Sequence, residues 1–169
     1  MDNDFTIIEK AIGPVIEIEE RSTVWRMPST FSRDYQRIAD YLASQGAECV
    51  EMPYARYLDM DWEVELGKGK LAMLLGMLMK RWHYLAGMPT SKPVSGEGEL
   101  VARVLENRRY ARAIHHGPYQ QSGKTYQALY DWVKSRGLSL ENEAIECYLN
   151  DPREVGKAEL KTEILIPLR

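Results

Sequence analysis

Apolar residues along this chain recur in two rhythms, and the changes from one to the other mark out its elements. Ile7 to Glu19 is rich in Ile and Val with partial alternation, as in a strand, with Gly13-Pro14 as the place for a bulge. Tyr35, Ile38, Ala39 and Leu42 then fall at helical spacing, in a helix that opens after Ser29 or Ser32 and stops at Gly46. A second strand covers about Tyr54 to Met60, and Trp82, His83 and Tyr84 lie on a third. The second half repeats the succession. Tyr110 to His115 reads as a strand and Gly117-Pro118 as a turn; Ser122 opens a helix carrying Tyr126, Leu129, Trp132 and Val133, and Gly137 closes it. Ile145 to Leu149 and Glu163 to Leu168 are the last strands. The predicted order is strand, helix, strand, strand, twice over.

Residue identities point to an internal duplication. At an offset of 91 residues, Tyr35, Asp40, Ser44, Gly46, Tyr57 and Leu58 meet Tyr126, Asp131, Ser135, Gly137, Tyr148 and Leu149, and Asp59 meets Asn150. From Tyr148 to Pro167 is nineteen residues but from Tyr57 to the matching Pro89 is thirty-two, so about thirteen are inserted in the first copy. They coincide with Gly67 to Lys80, where Leu71, Leu74, Leu75, Leu78 and Met79 suit a short amphipathic helix, soft with Met73 and Met77, that either packs on the core or covers a cleft. Thr90 to Gly98 is the linker. One domain over residues 1–169 is expected, with repeat one at about 5–90, its helical insert at about 67–80, and repeat two at about 99–169.

Side chains alternate along a strand, so parity separates its two faces. Ile145, Cys147 and Leu149 fall on one side, opposite Glu146, Tyr148 and Asn150; Ile164, Ile166 and Leu168 fall on one side, opposite Glu163, Leu165 and Pro167. If the apolar sides pack under the helices and the strands are neighbours, Glu146 and Glu163 share an uncovered face with Tyr148 and, by the duplication, Tyr57. The same matching aligns Leu85 with Glu163 and points His83 and Leu85 into the cleft, unless a shift of register after the insert brings Trp82 and Tyr84 there instead.

Composition narrows what such a cleft could meet. With 44% hydrophobic and 28% charged residues the chain is ordinary globular material. Its 22 Lys+Arg against 25 Asp+Glu give a formal charge of −3, and no basic run exceeds two residues, so direct nucleic-acid binding is not expected. Cys49 and Cys147 form no Cys-x-x-Cys pair, which fits reduced thiols. The start lacks a signal peptide, and the longest apolar stretch, Leu71 to Met79, is too short to span a bilayer, so a soluble, cytoplasmic protein without membrane contact is expected. Ten Tyr and four Trp against two Phe mean that most rings carry a polar handle. A carboxylate among such rings can pair with a cationic ligand or, with its pKa raised, act as a general acid or base; the plainer alternative is a polar face in water. His115-His116 point to opposite faces of a strand and lack a third ligand, so no metal is expected, and His116 is left at the cleft mouth. Gly67-Lys-Gly-Lys70 lacks the spacing of a phosphate loop, and no other cofactor motif is present.

The second half also carries a family resemblance. Tyr110-Ala-Arg-Ala-Ile-His-His-Gly-Pro-Tyr119, the helix Lys124 to Trp132, Ile145-Glu-Cys-Tyr-Leu-Asn-Asp-Pro152 and Thr162-Glu-Ile-Leu-Ile-Pro167 resemble the GyrI-like effector-binding family, which includes drug-sensing domains of transcription regulators and stand-alone proteins. The first half is similar more loosely, through Pro53 to Leu58 and Gly87-Met-Pro-Thr-Ser91. The resemblance implies an α+β fold of duplicated strand-helix-strand-strand units, with an antiparallel sheet and a ligand cleft between the repeats. It implies that Glu146 and Glu163 meet lipophilic cations. One branch of the family is implicated in hydrolysing cyclopropane-bearing alkylators; carried over, Glu163 would activate water or relay a proton while Tyr57 holds or polarises the substrate. Another branch inhibits DNA gyrase. No DNA-binding module is expected here, and a separate DNA-binding partner is left open. The expected function is a stand-alone binder of amphipathic aromatic or cationic small molecules, in xenobiotic sensing or sequestration. The alternatives are the hydrolase and a gyrase-modulating protein. The expected ligand-binding residues are Glu163, Glu146, Tyr57, Tyr148, Trp82, Tyr84, His116 and Trp62, with Glu163 and Tyr57 catalytic if the protein is a hydrolase.

Overall fold

The structure, a computed structural model, describes residues 5–66 and 80–169. The helix expected in the insert lies outside the described residues. In chain order the elements are β1 (Thr6–Lys10), β2 (Gly13–Ser22), α1 (Met27–Ser44), β3 (Tyr54–Tyr57), α2 (Trp62–Leu66), β4 (Trp82–Pro89), β5 (Leu100–Leu105), β6 (Arg108–His116), α3 (Ser122–Lys134), β7 (Ala144–Tyr148) and β8 (Lys161–Pro167). The strands form one sheet in the order β1-β6-β8-β7-β3-β4-β2-β5, with every pairing antiparallel. Outward from the central β7–β3 pair, both directions meet equivalent strands: β8 and β4, then β6 and β2, then β1 and β5. The fold is the expected α+β duplication with an antiparallel sheet.

The outermost strands depart from expectation. Ile7 to Glu19 is not one bulged strand: it breaks before Gly13, whose φ of +83° lets the chain turn. Its first part, β1, pairs with β6 of the other repeat, and its second part, β2, lies between β4 and β5. β5 occupies the corresponding edge and was not expected as a strand. Its outward residues, such as Val104 at 56% exposure, cover no core and leave little pattern to read. α1 starts at Met27, before Ser29, because Pro28 is accommodated in the first turn. The Ser29 and Thr30 hydroxyls donate back to the Arg26 carbonyl (2.9 Å each) instead of capping the helix. The strand expected at about Tyr54 to Met60 stops at Tyr57.

α1 and α3 lie on one face of the sheet. α1 packs Ile38 and Leu42 on Ile16, Ile18 and Met88. α3 packs Tyr126, Leu129 and Val133 on Ala111, Ala113, Ile164 and Ile166. The other face is apolar too: Tyr54, Tyr110, Ile145, Cys147 and Leu165 pack against Ile12 and Val15. Gly87 on that face admits the Tyr54 ring, since a Cβ there would stand 2.3 Å from it. The Tyr54 hydroxyl donates to Glu17 (2.9 Å), a carboxylate with 0% exposure that also holds Arg56 (2.8 Å) and Arg103 (3.0 Å). Arg56 reaches on to Glu143 of the second repeat at 3.2 Å, joining the halves by a partly buried ionic chain.

Candidate ligand-binding site

Directly opposed residues of antiparallel strands point to the same side, so the register decides which side chains meet. Glu146 stands opposite Ala55 and Ile164, whereas Cys147 stands opposite Tyr54 and Glu163. Glu146 therefore lies on the helix-bearing face and Glu163 on the other. The expectation that the two acids share a face is overturned. It assumed that the apolar parity of every strand faces the helices, but Ile145 and Cys147 face the Ile12 layer while Ile164 and Ile166 face α3.

α1 flanks the central strands on one side and α3 on the other, and Glu146 sits on the floor between them, 8% exposed. Three phenols donate to it: Tyr126 of α3 to Oε1 at 2.9 Å, and Tyr148 and Tyr57 to Oε2 at 3.3 and 3.5 Å. Tyr57 pairs with Tyr84 across β3 and β4, with ring centroids 6.0 Å apart, and meets Trp82 edge-on at 5.9 Å. Phe31 of α1 touches Tyr35, Tyr84 and Tyr148, and Tyr119 touches Tyr148. Glu146 is thus an acid enclosed by rings, with no ion pair among the described residues. Burial raises its pKa, and the three phenol hydrogen bonds oppose that rise. Burial first, and the Glu146 charge next, also hold the Tyr57 and Tyr126 hydroxyls well above the usual phenol value. They stay protonated and serve as donors. Desolvation and three donors make an anionic site suited to a cation that brings its own aromatic surface.

The remaining expected residues divide. Tyr57, Tyr148, Tyr84 and Trp82 gather with Glu146. The β4 register is unshifted, with Leu85 on the Glu163 face, and the helix-bearing side takes Trp82 and Tyr84. Trp62 is buried one ring further out, stacked on Tyr126 at 5.9 Å, its Nε1 donating to the Glu141 carbonyl. His116 is exposed, opposite Lys161 and on the Glu163 side, away from the cleft mouth. Glu163 pairs with Arg112 at 2.5 Å. With the sheet between them, Glu163 and Tyr57 do not form the catalytic pair carried over from the hydrolase branch. Tyr126, expected only as helix core, and Phe31, Tyr35 and Tyr119 were missed. The one sequence signal for the helix contribution is the match of Tyr35 with Tyr126. His115 is buried and held by Thr125 (2.9 Å) and the Pro118 carbonyl (3.1 Å). Among the described residues no His, Cys, Asp or Glu group is arranged to hold a metal ion, and no helix is long and apolar enough to cross a membrane.

Several solved structures share this fold. The EcmrR C-terminal domain has a TM-score of 0.67 at 19% identity, over 100% of this chain and 99% of that one. In the EcmrR–DNA complex (TM-score 0.68, 19% identity, 98% of this chain) this chain spans only 57% of the EcmrR chain. A hydrolase encoded by lin2189 of Listeria innocua has a TM-score of 0.65 at 12% identity, over 97% of this chain and 92% of that one. SAV2435 bound to tetraphenylphosphonium has a TM-score of 0.60 at 10% identity, over 100% and 94%. No curated protein sequence matches the chain. The family described as GyrI-like small molecule binding domain matches residues 80–169, more than half of the 169 residues. With α3, β7 and the acid-bearing centre of the sheet inside that match, the chain belongs to the GyrI-like small-molecule-binding domain family.

Proposed function

We propose that this domain binds amphipathic aromatic cations between α1 and α3, with Glu146 as the anionic anchor. The observation that carries the reading is a buried carboxylate held by three phenols and lacking an ion pair among the described residues. Tyr57, Tyr148, Trp82 and Phe31 supply the surface on which a ligand ring stacks, with cation–π attraction of roughly 0.5–2 kcal/mol. The structural likeness to SAV2435, solved with a lipophilic cation, supports the same class of ligand. The likeness to the EcmrR C-terminal domain supports a role as the effector-sensing part of a regulatory system.

Titration with tetraphenylphosphonium, followed by calorimetry, tests the anchor. Glu146→Gln is expected to weaken binding at least tenfold, about 1.4 kcal/mol or more, because it removes the charge and keeps the shape. Glu163→Gln, on the opposite face, is expected to stay within about threefold of wild type, a margin of about 0.65 kcal/mol. The reverse ranking sinks the assignment. Incubation of both variants with a cyclopropane-bearing alkylator reads turnover in the same proteins, and consumption that stops in Glu146→Gln identifies hydrolysis at this site instead of binding alone.

A further inference from the structure

The ring cage around Glu146 continues past Tyr57 to a second buried acid. Asp34 of α1 and Tyr84 of β4 both have 0% exposure. Asp34 Oδ1 accepts from Arg33 Nε at 2.9 Å, whereas Oδ2 has no hydrogen-bond partner among the described residues, and neither has the Tyr84 hydroxyl. Thr30 lies near that hydroxyl, but its own proton goes to the Arg26 carbonyl. Phe31, one turn before Asp34 on α1, meets the Tyr84 ring at 4.9 Å, so the orphaned donor and the orphaned acceptor both lie beneath this stretch of α1, and burial foremost pushes Tyr84 up to about 12. Arg33 also pairs with Glu20, so two carboxylates share one guanidinium; Arg37, the next cation on the helix, is engaged by Glu99 at 2.7 Å. Burial raises the Asp34 pKa, and Arg33 opposes that rise.

This second acid is tied to the first by rings. Tyr84 lies 4.9 Å from Phe31 and 6.0 Å from Tyr57, whose hydroxyl is 3.5 Å from Glu146. A carboxyl group therefore stands at each end of one row of tilted rings. The duplication does not repeat it: the position matching Asp34 is Thr125, which is neutral and satisfied by His115. The cleft is thus polarised towards α1. We propose that Asp34 and Tyr84 form a second polar subsite, and that the compounds taken by this domain are aromatic with two donor-bearing cationic ends, one for Glu146 and one for Asp34. The proposal rests on the reading of Glu146 as the anchor. A bound dication would satisfy Asp34 Oδ2 with a charged N–H and give the Tyr84 hydroxyl a polar neighbour.

The test compares three probes by calorimetry: an aromatic bis-amidine with two benzamidine rings joined by a flexible chain, the mono-amidine bearing the same chain, and tetraphenylphosphonium. Wild type is expected to favour the bis-amidine over the mono-amidine at least tenfold. Asp34→Asn and Tyr84→Phe are each expected to bring that ratio near one. Tyr84→Phe keeps the ring, so it carries the test if Asp34→Asn does not fold. A ratio near one in wild type, or a tenfold ratio that survives both variants, overturns the second subsite and leaves the orphaned atoms to a buried water only. The anchor is judged separately: it is the Glu146 reading that fails if Glu146→Gln leaves all three affinities unchanged.

Discussion

Glu146 owes its character to what is not around it. A carboxylate on an open strand face would keep its ordinary value of 4.5, but burial raises it despite three phenol donors. The raised value favours the protonated form in the folded protein. Its contribution to stability is therefore present below the unfolded value and lost as pH rises through the folded one. Glu146→Gln removes that loss. The melting temperature of the variant, minus that of wild type, is expected to grow as pH rises above about 4.5 and then level off, as followed by scanning calorimetry across a pH series. Tetraphenylphosphonium affinity of the wild type is expected to rise through the same window, because only the ionised acid attracts a permanent cation. Of the site, Glu146, Tyr57 and Tyr148 were legible in the sequence through strand parity and the 91-residue repeat. Tyr126 and Asp34 were not. Each sits on an amphipathic helix, where a buried polar residue looks like any other member of the core stripe.

At the scale of elements, the strands and helices follow from hydrophobic rhythm, and the differences arise where tertiary pairing outweighs it. Tyr110 to His115 and Ile145 to Leu149 were readable because they are buried and bounded by turn residues. β5 was invisible because it is an edge strand held by one neighbour. The break before Gly13 was read only as a bulge, since the sequence does not record that β1 leaves for the other repeat. Packing between elements is tight at β4, where the Tyr54 ring lies over Gly87. Gly87→Ala would place its methyl inside that ring, with no flexible side-chain end to give way. Denaturant unfolding is expected to show a loss of about 1–3 kcal/mol or more, characteristic of overpacking. An unchanged midpoint would mean that the ring can move aside.

Across the whole molecule, two repeats are joined at β3 and β7, with their edge strands exchanged. The exchange and the Glu17–Arg56–Glu143 chain couple the halves. Arg56→Met leaves Glu17 buried with Arg103 as its one cation among the described residues and is expected to cost about 3–5 kcal/mol in denaturant unfolding, still in one cooperative transition. Two separated transitions would show that the halves fold independently. The sequence by itself determined the fold class, the duplication and the family, because each is written in local periodicity, in residues repeated at a fixed distance or in the motifs of the second half. Only the tertiary structure decided which face of the sheet holds the site. Parity within a strand is local, but each strand here is apolar on the side its own neighbours demand. The register between β7 and β8 therefore had to be seen before Glu146 and Glu163 could be told apart.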